Sequence, residues 1–183
     1  MDGWPDQNYV SDDPERNMRH FLPSRKRRRP GDLFAYQMPD GWWGYIRFVK
    51  TDCAVVFFTG LNLLYIYRYR TPILEVPNRI KISRDDLLIP PQLTNNLGWV
   101  RGYFLFLTHL PIQDGEVFDR HCFWSELNHA HYDEFSNRVA APFDPLGSQG
   151  VASYSLIDLR VSRALGIPHP HDLAKDGDRT KDG

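Results

Sequence analysis

The chain has 183 residues, of which 42% are hydrophobic, 25% charged and 14% aromatic, with a net charge of -1. Such a length suits one domain with a true core, and the composition excludes a chain disordered throughout. The near-neutral balance argues against a dedicated, strongly basic nucleic-acid domain, and the uncharged run 54–67 is shorter than the roughly 18–20 residues a membrane helix needs.

Residues 1–28 are polar, carry Pro5, Pro14 and Pro23, and lack sustained periodicity, so they read as a mobile arm with one short helical turn near 16–21. The acidic start shows no secretory pattern, which puts the expected location in the cytosol with no membrane partner. A single globular domain is expected over 29–168, followed by a disordered tail over 169–183. Within the domain, 31–38 and 42–50 predict a hairpin around Asp40-Gly41, and 52–58 predicts a third strand buried on both faces. Residues 61–69 suit a strand or a short buried helix. The proline-punctuated middle allows short extended pieces at 73–76 and 80–83. Strands are predicted again at 102–107 and 116–124, and a helix over 155–165 stopped by Gly166 and Pro168. The fold class is therefore mainly β (α+β): a small, strongly bent antiparallel sheet or partly open SH3-like barrel, with loops and a C-terminal helix.

Charge is segregated along the chain. Residues 25–29 are five successive cations; 68–84 holds Arg68, Arg70, Arg79, Lys81 and Arg84 against Glu75; 112–134 holds six acids against Arg120. Catalytic signatures are missing: there is no Gly-rich phosphate loop and no Gly-x-Ser-x-Gly elbow. Cys53 and Cys122 have no paired spacing and read as buried thiols. In the run 121–134, His129 and His131 would share one face of a strand and are weak metal candidates, but the spacing is not that of a zinc site. No enzyme activity, cofactor or metal is expected. The cations 25–29 followed by Phe34, Tyr36, Trp42 and Trp43 leave an alternative, a nucleic-acid-binding small barrel with stacking aromatics, which the overall charge disfavours.

The segment RRRPGDLFAYQMPDGWWGYIRFV resembles the opening of the immunity protein 26 family of bacterial polymorphic toxin systems. Its members begin with a basic stretch, a Pro-Gly-Asp-[Val/Leu]-Phe strand, an Asp-Gly turn, and a second strand carrying Gly-Tyr and an Arg. The matching residues are Pro30, Gly31, Asp32, Leu33, Phe34, Asp40, Gly41, Gly44, Tyr45 and Arg47. The resemblance implies a cytoplasmic antitoxin without catalysis. Its partner would be a cognate secreted or contact-delivered toxin, an enzyme such as a nuclease or ADP-ribosyltransferase, bound as a 1:1 heterodimer.

For such a binder the candidate contact residues are the acids Asp85, Asp86, Asp114, Glu116, Asp119 and Glu126 and the aromatics Trp42, Trp43, Tyr45 and Trp124. Acids can steer a basic toxin surface, and aromatic anchors dominate interface energies. Adjacent strand residues point to opposite faces, so one of Trp42 and Trp43 enters the core while its neighbour is exposed; parity leaves open which.

Overall fold

The structure, a computed structural model, describes residues 9–173. Its organising element is a five-stranded antiparallel sheet of order β6-β5-β4-β3-β7. The strands are β3 (Asp32–Gln37), β4 (Trp43–Val55), β5 (Phe58–Thr71), β6 (Leu87–Thr94) and β7 (Leu105–His109). Both faces of the central strands are covered. Phe34, Tyr36, Ile46, Phe48, Leu64 and Ile66 point into one core with Met18, Trp99, Ile157 and Val161. Leu33, Ala35, Trp43, Tyr45, Leu63 and Tyr65 point into the other with Phe21, Leu93 and Phe123. Alternate residues thus feed two cores, which is why these strands read as continuous apolar runs.

Residues 61–69 are strand, inside β5. The predicted strand 52–58 is not a separate element: β4 runs on to Val55 and the chain reverses at Val56 and Phe57, where Val55 pairs with Phe58. Irregular pairing at 44–55 lets the long hairpin bend, and Asp52, at φ 57, sits at one such irregularity rather than at a turn. Nor is the tip buried on both faces, because Val56, Phe57 and Phe58 are all exposed. Strand β6 contains Pro90 and Pro91, which a central strand would reject; it lies at the sheet edge, where missing N–H donors cost little. Residues 73–76 form no strand, and 80–83 overlaps a 3-10 turn at Arg79–Lys81. The strand expected at 102–107 begins at Leu105, since Gly102 takes φ 81 in a turn where a Cβ would lie 2.0 Å from the Phe21 carbonyl oxygen.

A second, four-stranded sheet of order β10-β9-β8-β11 joins β8 (Cys122–Ser125), β9 (Ala130–Tyr132), β10 (Arg138–Val139) and β11 (Leu146–Ser148). Only the end of the predicted strand 116–124 is extended, because 116–121 is held instead by side-chain ties to Arg79, Arg84 and Tyr65. The short helix α1 (Leu97–Val100) precedes β7, and α2 (Tyr154–Ala164) is capped by the Ser153 hydroxyl, which accepts from the Leu156 N–H at 3.1 Å. Helix α2 lays Ile157 and Val161 on the first core. Cys53 and Cys122 are buried free thiols, and burial pushes the Cys53 thiol up to about 12. No helix among the described residues is long and apolar enough to cross a membrane.

Part of the arm expected to be mobile over 1–28 is packed, with Asn17, Met18 and Phe21 buried while 10–12 and 25–27 stay exposed, and no helical turn forms near 16–21. Strands β1 (Tyr9–Ser11) and β2 (His20–Phe21) pair with each other. Met18 and Phe21 are each 1% exposed and enter opposite cores. The anchor is Asp158, itself buried: its carboxylate accepts the Asn17 and Met18 N–H groups, both at 3.0 Å, and bonds His169 Nε2 at 2.9 Å. That bond also ties down the first residue of the predicted tail; the rest of that tail beyond 173, and the start of the arm before 9, lie outside the described residues. Replacing Asp158 by Ala strands two buried donors, so it should cost about 2–4 kcal/mol in denaturant titration. It should also speed tryptic cleavage at Arg16 and Arg19 by about tenfold; cleavage at the wild-type rate would contradict the anchoring role.

Candidate binding surface

A buried carboxylate ties the second sheet to the first, beside the packing of Phe123 in the second core. Glu134, 3% exposed, bonds Lys50 Nζ on β4 through Oε1 and accepts the His121 N–H at 3.2 Å through Oε2. The Glu134 carbonyl accepts the Ala54 N–H at 2.9 Å, again on β4. His121 is fully buried; its Nε2 shares a hydrogen bond of 2.6 Å with the Tyr65 hydroxyl, while Nδ1 lies 3.4 Å from Glu134 Oε1 in a contact too poorly aligned for a hydrogen bond. Burial pushes the Glu134 carboxyl up, but the neighbouring His121 and Lys50 override it and carry the group down to about 2. In the row Tyr65, His121, Glu134 and Lys50 the histidine is sealed from solvent, and the bonds tie β4, β5 and the start of β8 together.

Past this clamp the β4–β5 hairpin projects out of the core. Val56 is 43% exposed, Phe57 79% and Phe58 59%, and across from them Leu127, on the β8–β9 turn, is 73% exposed. Between these two turns lies a hollow of about 670 Å³, walled also by Asn95, Asn96, Ser125 and Gln149, with no ionisable side chain in its lining. Exposed apolar side chains gathered around an uncharged hollow are uncommon on a surface with no partner. Sequence reading missed this feature because VVFF looks like core; the absent signal is a turn residue, since a two-residue reversal made of valine and phenylalanine carries no local signature.

The predicted contact residues scatter. Trp42 is the exposed tryptophan, with the Arg70 guanidinium 5.9 Å from its ring centroid and Asp40 bonding Arg70 at 2.7 and 2.9 Å. Trp43 is 2% exposed and stacks on Phe21 at 5.5 Å. Tyr45, expected at the contact surface, is instead wholly buried with its hydroxyl 2.7 Å from Thr71 Oγ1, because its strand position faces the second core. Asp85, Asp86, Asp114, Asp119 and Glu126 are exposed, although Asp86 already pairs with Arg68 at 3.2 Å. Glu116 is committed internally: burial pushes its carboxyl up, but Arg79 and Arg47 hold it below the ordinary range.

Trp124, half-buried, stands between His129 and His131, with ring centroids at 6.1 and 4.8 Å. His129 has φ 47 and sits in the turn, so strand alternation does not align the two imidazoles, and no group of three ligand-type side chains suited to a metal occurs among the described residues. In the basic run, Arg25, Lys26, Arg27 and Arg29 are exposed, whereas Arg28 lies over Phe106 at 4.4 Å. Compared with known proteins, the chain matches no family model, no curated protein and no solved structure.

Two measurements check this geometry. Trp43→Ala should cost about 3–5 kcal/mol in chemical unfolding, and Trp42→Ala less than about 1 kcal/mol; equal losses would overturn the assignment of buried and exposed rings. A carboxyl whose folded pKa lies below its unfolded value of 4.5 contributes stability that is full above that value and is lost as pH falls toward about 2. Wild type should therefore lose about 2–3 kcal/mol from this group between about pH 5 and pH 2, a loss absent in Glu134→Gln. Parallel stability curves for the two proteins would contradict it.

Proposed function

We propose that the protein is a binder that neutralises a protein toxin by direct 1:1 contact in the cytoplasm, and that none of its residues performs catalysis. The observation that carries this reading is the β4–β5 tip: three consecutive exposed apolar side chains opposite Leu127, around a hollow without charge. Two aromatic rings held out by a clamped hairpin lose little freedom when they enter a partner's pocket, which is what a tight anchor requires. The resemblance of residues 30–47 to an immunity family supports the same reading and supplies the kind of partner, an enzyme made by the same cell.

Asp85, Asp114 and Asp119, exposed and lying outside the apolar hollow, would act at longer range, speeding the approach of a basic toxin rather than holding it. Trp42, presented beside Arg70, is the second aromatic candidate. The direct test is to express the toxin encoded by the adjacent reading frame with and without this protein. Wild type should rescue growth and bind the toxin domain. Phe57→Asp should keep the wild-type melting temperature, since Phe57 is 79% exposed, and weaken binding by at least about thirtyfold. Undiminished rescue by that variant would remove the tip from the interface, and no rescue by wild type would overturn the reading itself.

A further inference from the structure

Apart from the apolar hollow lies a groove with different chemistry. The two share no lining residue: Ser125 and Gln149 line the apolar hollow, while their neighbours Trp124 and Ser148 line this groove together with Gln92 of β6 and Arg160 and Arg163 of α2. It has a volume of about 470 Å³. On its other side Trp124 also lines a second hollow of about 580 Å³, with His129, His131 and Arg138. No carboxylate lines either space.

The two arginines of the groove differ in how they are satisfied. Arg163 is engaged by Asp172, through Nε at 3.1 Å and Nη2 at 2.6 Å. Arg160 is half-buried and its Nη1 donates to the Gln92 side-chain oxygen, a neutral acceptor; no carboxylate pairs with it among the described residues. Gln92 in turn is 3% exposed and locked, its amide nitrogen donating to the Pro90 and Pro91 carbonyls at 2.6 and 3.3 Å. A guanidinium held in place by a rigid amide and partly stripped of water, with no counter-charge, is poised for an anion. Beside it, Ser148 offers a hydroxyl and Trp124 an indole whose two imidazole neighbours are tilted at 55° and 49° rather than stacked flat.

We propose that this groove binds a nucleoside phosphate, with the phosphate on Arg160 and Ser148 and the base against Trp124. A phosphate oxygen suits the guanidinium fork, and a flat base suits the indole, an interaction that a simple acidic side chain would leave unused. The same chemistry is offered by a free mononucleotide and by one unit of a single strand. The site is separate from the basic run 25–29, and the proposal does not depend on toxin neutralisation.

The test is titration calorimetry of the full chain with AMP, adenosine, inorganic phosphate, a short oligoadenylate and a glutamate-rich peptide. AMP should bind with a dissociation constant of about 1 mM or tighter, and adenosine and inorganic phosphate each at least about tenfold more weakly. Arg160→Gln and Trp124→Leu should each weaken AMP by about tenfold or more, with Arg160→Lys and Trp124→Phe, which keep charge and ring, intermediate. Tighter binding of the oligoadenylate than of AMP would identify a strand as the source, and equal binding a free nucleotide. Silence of both nucleotide probes would overturn the proposal. So would unchanged AMP binding in well-folded Arg160→Gln, equal affinity for inorganic phosphate, or an Arg160-dependent preference for the acidic peptide.

Discussion

The carboxylate of Glu134 is the contact on which the exposed surfaces depend. It comes from the connection after β9 and bonds Lys50, while its own carbonyl takes the Ala54 N–H, so both ends of one residue grip the outer half of β4. Its other oxygen takes the His121 N–H at the entrance to β8. A buried charge is costly unless paired and hydrogen-bonded, and here each oxygen has a donor. The Lys50 ammonium, 5.2 Å from the Phe135 ring centroid, closes the cluster toward solvent. Because the same residue fixes the β4–β5 hairpin and the β8–β9 hairpin, it sets the separation of Phe57 from Leu127. A long two-stranded ribbon would otherwise be marginal in water.

The main sheet explains why so much of the surface has to come from turns. Strands β3, β4 and β5 spend both faces on cores, one closed by α2 and Trp99, the other by Phe21 and Phe123. Even Tyr45 and Trp43, which chemistry alone would nominate for binding, are consumed by the second core. What is left at the surface is where the strands outrun their cover: the β4–β5 tip, the Asp40 turn with Trp42, and the rim of the small sheet around Trp124.

The sheet-rich fold was legible in the sequence because its signals are local. Asp40-Gly41 between apolar runs specifies the first hairpin, with Gly41 at φ 82, and Gly166 with Pro168 marks where α2 stops. One tryptophan of the pair is buried and the other exposed, as expected, with Trp42 in the turn just ahead of β4. Other features depend on partners distant in sequence. Residues 12–28 look like a solvated arm until Asp158 supplies the acceptors for Asn17 and Met18. Strand β6 is hidden by Pro90 and Pro91, whose tolerance depends on lying at an edge. The acids 112–134 look like one patch, but Glu116 and Glu134 are spent on internal ion pairs, and the apolar VVFF tip is indistinguishable from a core strand until its neighbours are known.

The proposed role, binding a toxin through a clamped apolar tip, is tested most directly by hydrogen–deuterium exchange with and without a toxin domain captured by the protein from its own cell. The account predicts new protection at residues 55–61 and 125–128, with the core of β3 unchanged because it is already sealed. Protection confined to other surfaces, with the tip exchanging as in the free protein, would contradict it.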